Sequence, residues 1–225
     1  MGGQVLVGVA FPERIDAVYR PWQVNYLNAL RSSGAVPLGL PINFDRELIA
    51  DQLARVDGVF LTGGADINPS FYGEAPNGAG ASSAERDEFE SILVPEVLRR
   101  DLPVFGVCRG IQALNVFSGG SLIQHLEDHP GGDACEHEIS ILGGRLARII
   151  GADSLVVNSF HHQAVRLPAP GFAITACTHS GVIEAIEHPE AHFVLGVQWH
   201  PERTYNQDEN SRKLFDAFVA ACRGR

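Results

Sequence analysis

The chain reads as an α/β protein with a mostly parallel central sheet, helices on both faces and a small antiparallel extension. Three observations predict this. Through the first half, short apolar runs alternate with longer amphipathic ones, as parallel strands joined by helical crossovers require. Two of the apolar runs stop abruptly, at Thr62-Gly63-Gly64 and at Cys108-Arg109, as strands do where they turn into loops or helices. The second half is richer in strands, with Phe172 to Cys177, Val182 to Glu187 and Phe193 to Val197 following closely on one another.

Taken in order, Val5 to Val9 reads as a buried strand. Trp22 to Leu30 has apolar residues at helical spacing, and Gly34 ends that helix. Val36 to Leu40 is a second strand closed by Pro41, and Arg46 to Leu53 a short helix. Gly58 to Leu61 is a third strand, and Glu85 to Arg100 a charged helix. Pro103 to Val107 is a fourth strand, leading through Cys108 into a helix from Arg109 to about Phe117. Leu155 to Asn158 is another strand. Val182 to Ile186 and Phe193 to Val197 pair antiparallel across the turn at His188-Pro189-Glu190, and a last helix covers about Asn206 to Cys222. Pro69 to Ser83, rich in Gly, Ala, Ser and Pro, is the expected mobile loop. With no linker, repeat or low-complexity block, residues 1–225 are expected to form one domain.

The composition excludes several functions. A formal charge of -10 disfavours nucleic acid and anionic membrane surfaces, because binding either one needs a basic face. No stretch is long enough to span a membrane. Four separated cysteines without a Cys-x-x-Cys pair do not make a disulfide framework, so a reducing cytoplasm is expected. The apolar run after Met1-Gly2-Gly3-Gln4 is too short for a signal sequence, and a myristoylation motif is absent.

Chemistry enters at Phe105-Gly106-Val107-Cys108-Arg109-Gly110 and at Gln198-Trp199-His200-Pro201-Glu202. A lone cysteine is ordinarily a small buried hydrophobe. This one ends a strand and opens a helix, between glycines two positions away on either side. A strained strand-to-helix elbow needs that clearance. The helix start at Arg109 points its positive end at the sulfur and favours thiolate. The Arg109 amide can stabilise an oxyanion, as can Gly63 and Gly64 on a neighbouring strand end. His200 is the base. Glu202, two positions on, faces the same side of an extended segment and orients it. Pro201 disfavours a helical conformation at His200. His188-Pro189-Glu190 repeats the tripeptide in a turn without a preceding apolar strand and is read as structural.

Nine histidines raise the question of a metal. His125, His129, Cys135 and His137 fall in a Gly/Pro/Asp-rich loop without zinc spacing and are read as solvated. For His161-His162-Gln163, after the strand ending at Asn158, pocket lining and loop packing stand equal.

These residues resemble the class I glutamine amidotransferase superfamily, and within it the free-standing gamma-glutamyl-gamma-aminobutyrate hydrolase branch, the C26 peptidases. The resemblance runs from Tyr26-Leu27-Asn28-Ala29-Leu30 through Asp57 to Pro69, Tyr72-Gly73-Glu74 and Arg86-Asp87-Glu88-Phe89-Glu90. It continues through the Cys108 elbow with Gln112, Asn115 and Gly119-Gly120, then Asn158 to Gln163, and Gly196 to Glu202. It implies a flavodoxin-like fold, a Cys108–His200–Glu202 triad, a γ-glutamyl thioester, and glutamyl binding by Gln112, Ser159, Phe160 and His162. It implies no metal and no organic cofactor. Two departures, Ser180 where the branch has an acidic residue and His125 in place of another, lie outside the triad and leave the released amine open.

The leading expectation is hydrolysis of a small γ-glutamyl amide, gamma-glutamyl-gamma-aminobutyrate first. A glutaminase subunit feeding ammonia to a separate synthetase is the first alternative, and a catalytically silent binding module the second. A homodimer is one assembly the sequence leaves open. DJ-1-type proteins place histidine after the elbow cysteine, where this chain has Arg109. In α/β-hydrolases the acid precedes the histidine, the reverse of the order here.

Overall fold

The structure, a computed structural model, describes residues 3–11, 20–127, 129 and 135–224. Residues 1–2, 12–19, 128, 130–134 and 225 lie outside the described residues.

Strand β1 (Val5–Ala10) is flanked in parallel by β2 (Ala35–Leu40) and β3 (Gly58–Leu61). Strand β4 (Val104–Val107) lies parallel to β3 and to β11 (Val194–Val197). Helices α1 (Arg20–Ser32), α2 (Arg46–Leu53) and α3 (Ala84–Arg99) are the crossovers among the first four strands, and α4 (Arg109–Val116) follows β4. Their ends obey local chemistry. Gly34, at φ 90°, closes α1. Asp45 accepts the amides of Glu47 and Leu48 at the start of α2, and Ser83 accepts that of Arg86 in α3.

Alternate strand residues feed two cores. Val5, Val7, Val9, Phe60, Phe105 and Val107 pack on one face with Leu30 of α1 and with Phe215 and Phe218 of α7 (Glu209–Arg223). Val59, Leu61 and Val104 pack on the other, with Ile49 and Leu53 of α2, Phe89 and Leu93 of α3, and Ile111 and Leu114 of α4. The two-residue period of a strand makes this division.

The antiparallel part is larger than expected. It comprises β5 (Ser121–Ile123), β6 (Glu136–Ile141), β7 (Ser154–Asn158), β8 (Ala164–Leu167), β9 (Ala173–Thr178) and β10 (Ile183–Glu187), with α5 (Gly144–Ile150) between β6 and β7. The main path runs β2-β1-β3-β4-β11-β10-β9-β6-β7, with β8 pairing β10 and β5 pairing β8. As expected, β10 and β11 are antiparallel, with Ala185 opposite Val197. Sequence reading passed over β5, β6, β8 and α5. They are short or half-exposed, and β6 buries only Ile139 and Ile141 fully. One further helix, α6 (Pro201–Thr204), is a single turn.

The Pro69 to Ser83 segment, expected to be mobile, is held in this structure by several bonds. Asn68 caps a 3-10 turn at Pro69–Tyr72, Gly80 N–H donates to Asp66 Oδ2 at 2.6 Å, and Asn77 N–H to Gln124 Oε1 at 2.6 Å. Among the described residues no helix is long and apolar enough to cross a membrane.

Candidate active site

Strands β3, β4 and β11 are parallel neighbours, so their carboxyl ends open on one edge of the sheet, where open α/β sheets bind ligands. Those ends deliver Gly63, Cys108 and His200. Cys108 adopts φ 55°, ψ -108°, a conformation that L residues rarely hold and that marks a strained elbow. Its amide donates to Val197 O at 2.8 Å, fastening the elbow to β11. The flanking glycines have steric reasons. A Cβ on Gly106 would stand 2.6 Å from Gly110 C and O, and one on Gly110 would stand 2.3 Å from Leu61 O.

His200 Nδ1 lies 2.7 Å from Glu202 Oε1, and its side chain also hydrogen-bonds to Cys108. Burial works against charge on this imidazole. Glu202 and Cys108, by their negative charge and their hydrogen bonds, outweigh burial and push its pKa up to about 10. The route to this contact corrects the sequence reading. Glu202 does not lie on an extended strand. It sits in the first turn of α6, with His200 as the N-cap and Pro201 at the first helical position. Proline is preorganised there and loses no hydrogen bond. The second His-Pro-Glu copy does lie in the β10–β11 turn, where His188 packs against Phe172.

Two residues escaped assignment of a role. Asn158 clamps the backbone of His200, accepting its N–H at 2.9 Å and donating to its carbonyl at 2.9 Å. Tyr26 Oη stands 3.3 Å from His200 Nδ1 and accepts the Gly63 N–H at 3.2 Å. Burial, then the negative charge of Glu202 and Cys108, raises the Tyr26 pKa well above its ordinary value, so its hydroxyl keeps its proton.

The Gly63 amide is therefore directed at Tyr26. Of the three oxyanion donors expected, Gly64 and Arg109 remain. Gly63 serves clearance, because a Cβ there would meet Tyr26 Oη at 2.7 Å and His200 Cε1 at 3.1 Å. The Arg109 side chain turns away from the cleft into a buried ion network. It donates to Asp87 Oδ1 at 2.6 Å and to Glu90. Arg86 joins Glu90 at 2.8 Å and donates to the carbonyls of Thr62 and Gly63 at 2.8 and 2.9 Å. Asp87 in turn accepts the Asn68 amide at 3.0 Å. The loop after β3 is thereby tied to the elbow helix through α3. A sequence signal existed: charges at positions 86, 87 and 90 fall on the face of α3 that also carries the buried Phe89 and Leu93.

A pocket of about 50 Å³ opens beside the sulfur, lined by Gly64, Cys108, Arg109, Gln112, His161 and His162 among others. It admits one end of a substrate rather than a whole dipeptide. Gln112 lines it and also donates to Gln163 O at 3.3 Å and Gln198 Oε1 at 3.2 Å. Phe160 meets His200 edge-on at 5.7 Å between ring centroids, and the Arg203 guanidinium stands over the Phe160 ring, 3.6 Å from its centroid. His162 Nε2 lies 3.0 Å from Asp66 Oδ1. Ser159 departs from expectation. Its side chain is fully buried, and its hydroxyl faces His129 at 3.2 Å instead of the pocket.

The remaining histidines are not all solvated loop residues. His129 and His137 come together with His161 and the buried Glu184. Burial first, and then the neighbouring His161, lowers the His129 pKa to about 4. His125 pairs instead with His162, at 3.2 Å between Nδ1 atoms.

Fold and site together define the class of the glutamine amidotransferase-like proteins. Residues 12–202 match the Peptidase C26 family, and the chain belongs to it. It is accordingly a hydrolase acting on amide bonds. Protein NtpR of Enterococcus hirae is similar at 36% identity, over 95% of this chain and 98% of its own length. The gamma-glutamyl-gamma-aminobutyrate hydrolase PuuD of Escherichia coli K12 is similar at 33% identity, over 89% of this chain and 85% of its own. Among solved structures, the glutaminase domain of Trypanosoma brucei CTPS with bound acivicin superposes with a TM-score of 0.68. The match covers 96% of this chain and 94% of that one, at 16% identity, which speaks to the fold alone.

Proposed function

We propose that this protein hydrolyses a γ-glutamyl amide through a thioester on Cys108, with gamma-glutamyl-gamma-aminobutyrate as the leading substrate. One observation carries the mechanism: His200, hydrogen-bonded to Glu202 at 2.7 Å, faces a cysteine held at a strained helix start. The relative PuuD supports the choice of acyl group.

Because its pKa is pushed up to about 10, His200 holds a proton at neutral pH and acts first as an acid. The Cys108 thiolate adds to the δ-carbonyl carbon, and the Gly64 and Arg109 amides meet the developing oxyanion. His200 passes its proton to the leaving nitrogen, the C–N bond breaks and the amine departs. Water then adds to the thioester, giving its proton to His200. The C–S bond breaks, glutamate leaves, and the thiolate–imidazolium pair is restored. The pocket takes the glutamyl end, between Gln112 and the Phe160 to His162 wall, and the amine lies outside it.

The test is a panel of γ-glutamyl amides that includes glutamine, scored by glutamate release, for the wild type and Cys108→Ala. Turnover of a γ-glutamyl amine well above that of glutamine, abolished in Cys108→Ala, is the expected outcome. Glutamine as the preferred substrate would favour the ammonia-delivering subunit. Appreciable turnover by Cys108→Ala would remove the thioester mechanism.

A further inference from the structure

Beside the cleft, and outside the Cys108 chemistry, a second cluster of polar side chains is buried. Its members come from well-separated parts of the chain: His129, His137 on β6, His161 after β7, and Glu184 on β10. His129 Nε2 lies 3.2 Å from His161 Nε2. Glu184 Oε1 lies 3.3 Å from His137 Nε2 and 3.5 Å from His161 Nε2. The ligand atoms of His129, His161 and Glu184 all fall within 4.8 Å of one another.

The hydrogen bonding of this cluster is incomplete. Glu184 is 0% exposed, yet neither carboxylate oxygen has a hydrogen-bond partner of good geometry among the described residues, and the same holds for both nitrogens of His137. A buried carboxylate in that condition costs several kcal/mol unless a positive charge answers it. The tautomer of His161 sharpens the problem. Its Nδ1 lies 3.0 Å from the carbonyl of Gln163, which can only accept, so Nδ1 carries the hydrogen. In the neutral ring Nε2 then presents a lone pair toward Glu184 and His129. A ring N–H given to a backbone carbonyl, with the other nitrogen free, is the usual arrangement of a metal-ligating histidine. Ligands about 2.0–2.1 Å from a tetrahedral zinc lie roughly 3.3 Å apart. The separations of 3.2 Å between His129 and His161 and of 3.5 Å between His161 and Glu184 match that spacing.

We propose that His129, His161 and Glu184 bind one zinc-class divalent metal ion, with His137 Nε2, 3.3 Å from Glu184 Oε1, supporting the carboxylate from outside the coordination sphere. Two imidazole nitrogens and a carboxylate oxygen are donors suited to such an ion. Three protein ligands hold the ion and leave the fourth tetrahedral position to water. The ion ties His129 to β10 and to the His161–Gln163 wall of the pocket, and no step of the hydrolysis passes through it. The spacing of these residues along the chain follows no zinc motif because strand pairing brings them together.

The test uses tag-free protein stripped with chelator, then loaded with Zn2+ and dialysed for metal analysis, or loaded with Co2+ for its visible spectrum. One ion per chain is expected, with a tetrahedral cobalt band and no sulfur-to-cobalt charge transfer in the near ultraviolet. His129→Asn, at a half-buried position, and Glu184→Gln should each weaken metal binding by at least about 100-fold, more than loss of an outer-shell partner does. Circular dichroism checks that each variant is folded, and His129→Asn keeps the test valid should Glu184→Gln fail to fold. Failure of the wild type to retain stoichiometric zinc would overturn the proposal and leave the cluster balanced by protons. A cobalt band that survives in His129→Asn but is lost in Cys108→Ala would place the ion at the catalytic sulfur and overturn it equally.

Discussion

The surroundings of His200 favour the charged form of its imidazole. Burial alone would discharge it, but Glu202 and Cys108 hold the proton to a pKa of about 10. A free histidine titrates near 6.5. Because the folded value is the higher one, the charge contributes stability that is fully present below about pH 6.5 and is lost as pH rises through about 10. Glu202→Gln removes the largest of the charges that raise this pKa and so weakens the dependence. Melting temperatures measured from pH 6.5 to 10 should therefore fall more steeply for the wild type than for Glu202→Gln. Parallel curves would mean that Glu202 does not set the charge of His200. The contact itself was legible in the sequence, but its geometry was not. Pro201 suits a strand end and a helix start equally well, and only the chain direction after it, set by the packing of α6, decides between them.

The decisive elements are β4 and α4, which make the elbow. Gly106 and Gly110 pack backbone to backbone, and Gly110 lies against Leu61 of β3, so α4 approaches the sheet more closely than a side chain allows. Gly110→Ala brings a methyl against a strand carbonyl, a rigid partner. Overpacking of this kind costs about 1–3 kcal/mol. A lower urea midpoint at unchanged slope is expected, together with slower alkylation of Cys108 as the elbow shifts. A variant as stable as wild type would show that α4 can slide. This requirement could be read from spacing, because an elbow makes a local backbone demand. The strands β5, β6 and β8 could not, since their residues meet partners only when the distant β7, β9 and β10 are in place.

Across the whole molecule, the buried network of Arg86, Asp87, Glu90 and Arg109 joins the loop after β3 to the elbow through α3. Glu90 is fully buried. That would raise its pKa, yet the charges of Arg109 and Arg86 hold it below the ordinary carboxylate range. Its stabilising effect is thus present above the usual carboxylate pKa and is lost as pH falls. Glu90→Gln leaves two buried guanidinium groups short of a counter-charge, which typically costs about 3–5 kcal/mol. Urea denaturation at neutral pH should read that loss, and a change under about 1 kcal/mol would show that Asp87 alone suffices.

The sequence by itself determined the alternation of strands and helices, the glycine-flanked cysteine and the pairing of His200 with Glu202. These are demands of period and backbone conformation, written over a few consecutive residues. Only the tertiary structure decided that Tyr26 reaches His200 from 174 positions away, and Asn158 from 42. It likewise turned the Arg109 side chain away from the cleft and gathered His129, His137 and His161 around Glu184. Those contacts depend on the order of strands in the sheet. That order is set by the burial of two whole cores rather than by any local pattern.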